Sequence, residues 1–260
     1  MELGLVWKIG EAGTMILEPD SAGALSQKTV ESLKNELLAL TKGRDTESLN
    51  QKRLFYQNTL SPLFEELSRR NPHPSAEEQA PIILGGWLPV WSTIPFQDIL
   101  PGRIREQSYQ IFQSNGYYAN IARYAPGQQL PFLRNISSKL LAYDLMVIQK
   151  YSVRDGRWDI QNVGIEQAFG KREIPLDIEQ AESWFTTVFK AKFEVDSQPI
   201  NLGQPSELTN LDETTRKKFK KIFLATPQFE HLYIDSEFRL VKTQREANQR
   251  PSYTIAVRKR

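Results

Sequence analysis

Cysteine is absent from the 260 residues of this chain, which excludes disulfides, thiolate nucleophiles, zinc–thiolate sites and iron–sulfur clusters. Histidine occurs only at His73 and His231. His73 stands between two prolines, a poor position for a general base, and the chain has no His-x-x-x-His pair to bind a metal from one helix face. We therefore predict a protein without a metal site, a cofactor or a catalytic residue.

Strong net charge and long apolar runs are lacking as well. The formal net charge is +2, which is too small to indicate nucleic-acid binding. No stretch approaches the roughly 18 consecutive apolar residues of a membrane-spanning helix. The start, Met1–Lys8, has an acid at its second position and lacks the basic-then-apolar order of a signal peptide. We expect a protein that stays where it is made, or one from which a presequence has been removed.

Apolar spacing divides the chain into two regions. Apolar residues recur at helical spacing over residues 28–42, and a second helical pattern covers residues 54–67. Pro62 lies inside the second pattern, so it either kinks the helix or restarts it. We predict a helical segment over residues 1–80 and a β-rich barrel over residues 81–260, together forming one structural unit.

Two turn signals mark β-hairpins in the second region. Asn115-Gly116 and Asp155-Gly156 each separate two β-rich runs, and both dipeptides favour tight turns because their residues tolerate positive φ. The odd positions from Leu141 to Val147 are all apolar, as the inner wall of a barrel requires. These features predict antiparallel strands that pair in sequential order.

Four further elements follow the second hairpin. A helix is predicted over Asp177–Val188 with Asp177 as its cap, and a strand over Phe189–Val195. Two strands, Phe229–Lys242 and Ser252–Lys259, are predicted to close the chain.

A glycine next to a tryptophan-bearing strand and an arginine in a late strand fit a closed barrel with an interior. Gly85 lets another backbone approach, and the indole of Trp87 plugs one end. Arg239 would stack on that indole through a cation–π contact. This combination indicates a small-molecule container more than an enzyme.

Four segments carry a family resemblance, and they are Leu33–Leu40 with Leu67–Pro72, Leu84–Thr93, Gln113–Ala122 and Tyr233–Leu240. Their order over residues 28–258 resembles the plastid lipid-associated protein family, also called fibrillins or plastoglobulins, and its cyanobacterial relatives. The resemblance implies a lipocalin-like (calycin) antiparallel β-barrel behind N-terminal helices. It also implies binding or carriage of a hydrophobic compound such as a prenylquinone (plastoquinone), a carotenoid or another lipid.

The resemblance sets expectations for location too. It implies a protein of photosynthetic membranes, either peripheral to the thylakoid or cytoplasmic in a cyanobacterium. A chloroplast plastoglobule, after removal of a transit peptide, is the alternative.

The ligand site is predicted inside the barrel. Its predicted lining is Trp87, Tyr109, Tyr143, Leu145 and Trp158, with Asp235 and Arg239 at the polar end. The alternative for each of these residues is ordinary barrel core, because a barrel of about eight strands can be filled by its own side chains.

A basic segment comprises Arg216, Lys217, Lys218, Lys220 and Lys221. It is either a solvated helix face or a contact with anionic lipid headgroups or a partner protein. Two other functions therefore stay open. One is a scaffold without a pocket ligand that binds a partner enzyme or a membrane surface. The other is a tetrapyrrole lyase or isomerase on a calyx fold, whose arginines would bind propionates.

Overall fold

Eight strands form a closed antiparallel β-barrel. The computed structural model describes residues 8–9, 15–16, 19–95, 102–125, 141–194, 213, 228–244 and 249–260. A two-stranded hairpin of β1 (Lys8–Ile9) and β2 (Met15–Ile16) comes first. The barrel strands are β3 (Gly85–Ser92), β4 (Arg103–Phe112), β5 (Tyr117–Tyr124), β6 (Leu141–Arg154), β7 (Arg157–Lys171), β8 (Gln228–Ile234), β9 (Phe238–Gln244) and β10 (Ser252–Lys259). Each pairs with the next along the chain, and β10 closes the barrel on β3.

This architecture, mainly β with helices, confirms the coarser part of the predicted fold. The helices are α1 (Pro19–Ser26), α2 (Val30–Thr41), α3 (Leu49–Phe55), α4 (Ser61–Arg69), α5 (Ala76–Ile82) and α6 (Ile178–Phe189). Side-chain caps satisfy the free N–H groups where several of them begin. Asp177 forms a capping box with Gln180 at the start of α6, which confirms the predicted cap.

A π-helical turn, Tyr56–Leu60, joins α3 to α4 at the predicted interruption. Pro62 cannot donate a backbone hydrogen bond, so it is accommodated in the first turn of α4, where such bonds are not made. The backbone keeps helical dihedrals from Phe55 through Ser61, so the helix continues into α4 through the π-helical turn and does not restart at the proline.

The two predicted hairpins are present, but their turns differ. Asp155 and Gly156 both have positive φ, 50° and 71°, as a two-residue hairpin turn requires. In the first hairpin Gly116 alone adopts positive φ, 83°, and the Asn115 side chain accepts a hydrogen bond from the Tyr117 amide at 3.1 Å. That turn is therefore one residue longer than the dipeptide signal predicts.

Two predicted strands were wrong. The segment Phe229–Lys242 is not one strand but the hairpin of β8 and β9, because the Asp235 carboxylate accepts the amides of Glu237 and Phe238 and holds a turn. The segment after Phe189 is not a strand either, since Lys190–Glu194 continues α6 as a π-helical turn.

Apolar faces of α2 and α4 cover one outer side of the barrel. Leu33 and Leu37 of α2 and Phe64 of α4 are buried against Trp91 of β3 and Leu240 of β9. Positions three or four apart face the same way on a helix, so this spacing produces the contact.

The outer side formed by β4, β5 and β6 is covered by α6. Ile178 and Phe185 of this helix pack in one cluster with Ile111, Ile121 and Met146. Gly86 makes the approach possible, because a Cβ there would lie 2.6 Å from the Ile178 Cδ1 atom. Since helices occupy these outer faces, the inner faces of the strands enclose a separate interior.

A buried carboxylate fixes the α2–α3 connection to the barrel. Asp45 is 5% exposed and accepts hydrogen bonds from the Ser92 amide at 2.8 Å and from Lys52 Nζ at 3.3 Å. Arg105 of β4 forms an ion pair with the same carboxylate. Lys52 is itself 3% exposed, so its charge depends on Asp45 for compensation.

Replacing Asp45 should therefore destabilise the fold. The Asp45→Ala variant leaves a buried lysine without its counter-charge, and we expect a loss of about 3 kcal/mol in the free energy of unfolding. Urea denaturation measures it. The control is Glu230→Ala, which removes an exposed ion pair with Lys242 and should change stability by less than about 1 kcal/mol. Equal effects of the two variants would contradict the role given to Asp45.

Candidate functional site

The barrel interior holds a cavity of about 550 Å³. This volume lies within the range of about 300–1,000 Å³ that is typical of small-molecule sites. Apolar side chains of several strands form its wall, namely Pro89, Ala122, Tyr124, Leu145, Val147 and Val241. Val241 and Thr243 follow Arg239 on the same face of β9, so the cavity extends from Arg239 toward the β9–β10 connection.

Aromatic rings fill the part of the interior next to this cavity. Phe112 stacks on Tyr118 with ring centroids 4.4 Å apart, and Trp158 lies 5.7 Å from Tyr151. The indole of Trp87 is fully buried and donates a hydrogen bond to the Ile83 carbonyl at 2.6 Å. We call these five residues the aromatic plug, and α5 packs against them through Ala76 and Ala80.

A row of amide side chains lies on the cavity wall beside the plug, of which Phe112 and Tyr118 also line the cavity. Gln110 of β4 donates to Asn120 of β5 at 2.6 Å, Asn120 donates to Gln149 of β6, and Gln149 donates to Asn162 of β7 at 2.6 Å. All four line the cavity. This amide belt, Gln110–Asn120–Gln149–Asn162, satisfies its own hydrogen bonds across four neighbouring strands, which permits these polar groups inside the barrel.

Arg239 of β9 continues the belt across the barrel. Its Nη2 donates to Gln110, and its guanidinium carbon lies 4.8 Å from the Trp87 ring and 5.0 Å from the Phe112 ring. The predicted cation–π contact between Arg239 and Trp87 is thus confirmed. Burial lowers the pKa of Arg239 to about 9, which leaves the side chain charged at neutral pH.

No carboxylate among the described residues forms an ion pair with Arg239. The side chain is 2% exposed, and its Nε atom is buried without a hydrogen-bond partner. A buried cation normally has an anionic partner, because its desolvation otherwise costs several kcal/mol.

His231 and Gln79 connect Arg239 to α5. The His231 Nε2 atom lies 3.4 Å from Arg239 Nη1, and its Nδ1 atom lies 3.2 Å from the Gln79 side-chain oxygen. The same oxygen accepts the Trp158 indole N–H at 3.1 Å. These partners suit a neutral imidazole that donates from Nδ1 and accepts at Nε2. Burial, with a further contribution from the charge of Arg239, holds the pKa of His231 well below its usual range.

Three of the residues predicted to form the ligand site line the cavity. They are Leu145, Arg239 and Tyr109. The Tyr109 hydroxyl turns toward the α6 connection and donates to the Leu176 carbonyl at 3.0 Å, so it is not directed at a ligand.

The other four predicted residues lie elsewhere. Trp87 and Trp158 belong to the aromatic plug. Tyr143 is buried beside Leu145, and its hydroxyl donates to Gln167 at 2.8 Å. Asp235 is separated from Arg239, because it lies in the β8–β9 turn and pairs with Lys34 of α2 at 2.9 Å.

Sequence reasoning missed the amide belt. The apolar alternation that marks Leu145 and Val147 as inward-facing continues to Gln149, which could have been identified by extending the pattern by two residues. Gln110, Asn120 and Asn162 become neighbours of Gln149 only through the strand register, which no local pattern reports.

The predicted membrane or partner contact, Arg216, Lys217, Lys218, Lys220 and Lys221, lies outside the described residues. Over the part of the chain that the structure covers, no helix is long and apolar enough to cross a membrane. No protein-family model matches the chain, and no curated protein matches it.

The neutral state of His231 predicts a pH-dependent stability. Its folded pKa is lowered, so the unfolded chain binds the extra proton first, and stability falls as the pH drops below about 6.5. Between about pH 7.5 and about pH 5.5 the native chain should lose roughly 1.4 kcal/mol more than the His231→Gln variant. Urea denaturation of both chains at the two pH values measures this difference. Identical pH dependence would show that His231 is protonated without penalty in the fold.

Proposed function

We propose that this protein binds a hydrophobic small molecule inside its barrel and does not act as an enzyme. The main observation behind the proposal is the cavity of about 550 Å³, which is lined by apolar strand residues and, at one end, by the amide belt. Each methylene buried there contributes about 0.8 kcal/mol, so a ten-carbon chain gains roughly 8 kcal/mol before ordering costs.

The resemblance to plastid lipid-associated proteins supports a lipocalin-like assignment and a lipid of the prenylquinone or carotenoid class. It also supports a location at thylakoid or plastoglobule-type membranes. These finer assignments are part of the proposal.

Exposed apolar residues on the β6–β7 ribbon support exchange with a membrane. Leu141 is 56% exposed and Phe169 is 62% exposed. Both lie on the face of the ribbon that carries Tyr143 and Leu145, and Phe169 pairs directly with Tyr143. An apolar surface that continues from a cavity wall suits the transfer of an oily ligand.

A cavity-filling substitution tests the proposal. Val147 lines the cavity and is only partly buried, so Val147→Trp should occupy ligand space with little disturbance of packing. Isothermal titration with a decyl-chain plastoquinone should give one site per native chain. The affinity of Val147→Trp should be weaker by about tenfold or more, which corresponds to about 1.4 kcal/mol or more.

The matched control is Leu54→Trp, which places the same side chain on an exposed position of α3. Its affinity should stay within about twofold of the native value, a change below about 0.5 kcal/mol. Circular dichroism and thermal melts establish that both variants fold. The proposal fails if the native chain binds no apolar probe, or if Val147→Trp binds as well as the control.

A further inference from the structure

Arg239 is a buried charge on the cavity floor for which the described residues supply no anion. Its guanidinium is held in place by Gln110 and by the rings of Trp87 and Phe112. These contacts orient the group, but an amide and two aromatic rings do not neutralise it. Arg239 also lines the cavity.

Arg258 is a neighbouring cation, since its guanidinium carbon lies 3.9 Å from the Trp87 ring, but it donates to the Leu84 and Ile82 carbonyls and is not among the residues that line the cavity. His231 faces Arg239 in its neutral form, and the amide belt is uncharged. The other arginines that line the cavity are Arg53, Arg103 and Arg250. Arg250 lies in the β9–β10 connection, beyond Val241 and Thr243 along the same hairpin. Arg53 belongs to α3, and Arg103 pairs with Tyr124, seven residues before Gln110 on β4. Of the four arginines that line the cavity, Arg239 is the one that contacts the amide belt, through Gln110.

Resting on the proposed function above, we propose that the cavity also accepts a single-chain amphiphile with a carboxylate, bound head-first against Arg239. Its carboxylate accepts charge-assisted hydrogen bonds from the guanidinium, which are stronger than those to a neutral acceptor. Its chain lies along Leu145, Val147 and Val241. The carboxylate supplies the missing counter-charge, so an acid is favoured over an alcohol of the same length.

Paired probes test this proposal. Decanoic acid and decanol have the same chain length and differ at the head, and isothermal titration at about pH 8 keeps the acid ionised. The native chain should bind decanoate about tenfold or more tighter than decanol. In Arg239→Met, which keeps the length of the stem, this ratio should fall to within about twofold while decanol still binds.

The control variant is Arg154→Met, which removes an exposed arginine at the β6–β7 turn and should leave the ratio unchanged. A second measurement needs no variant. The ¹³C resonance of carboxyl-labelled decanoic acid bound to the native chain should titrate at a lower pH than that of the free acid, because Arg239 stabilises the ionised form.

The outcomes separate the two proposals. If decanol and decanoate bind the native chain equally, the carboxylate assignment is wrong while the cavity still binds apolar chains. If the preference for acid persists in Arg239→Met, the selectivity comes from another cation such as Arg250, and the assignment is also wrong. If neither probe binds, the proposed function itself fails.

Discussion

The charge of Arg239 lies inside the barrel, where it is held by Gln110 on one side and by the faces of two aromatic rings on another. A charged group in this position requires polar neighbours, and the amide belt and His231 provide them. This polar layer lies where the ring-packed part of the interior meets the cavity, and Phe112 and Tyr118 of the plug line the cavity beside it.

The helices complete the arrangement from outside. The outer faces of β3 and β9 are covered by α2 and α4, and those of β4 to β6 by α6, so the apolar outer positions have helical partners. The hydrophobic core of this protein therefore lies largely around the barrel and in the plug. The fold tolerates a cavity inside the barrel because its stability comes from apolar packing around the barrel and in the plug.

Local signals predicted much of the framework. The Asp155-Gly156 turn, the cap at Asp177 and the alternation from Leu141 to Val147 each act over a few residues, and each appears in the structure. The prediction of a single strand over Phe229–Lys242 failed because side-chain hydrogen bonds form a turn within an otherwise β-rich segment. Asp235 sits in an apolar β-rich run, yet its carboxylate binds two amides and ends the strand. The amide belt was not predicted because its four side chains lie on four different strands, and they become neighbours only through the strand register of the closed barrel.

The proposed function requires that the cavity hold an apolar ligand. Native mass spectrometry of the protein, purified without detergent from cells that make prenylquinones, carotenoids and fatty acids, tests it most directly. The expected spectrum contains a species one hydrophobic molecule heavier than the bare chain, and organic extraction should convert this species to the bare chain. A spectrum that shows only the bare chain, even after incubation with a total lipid extract, would contradict the proposed function.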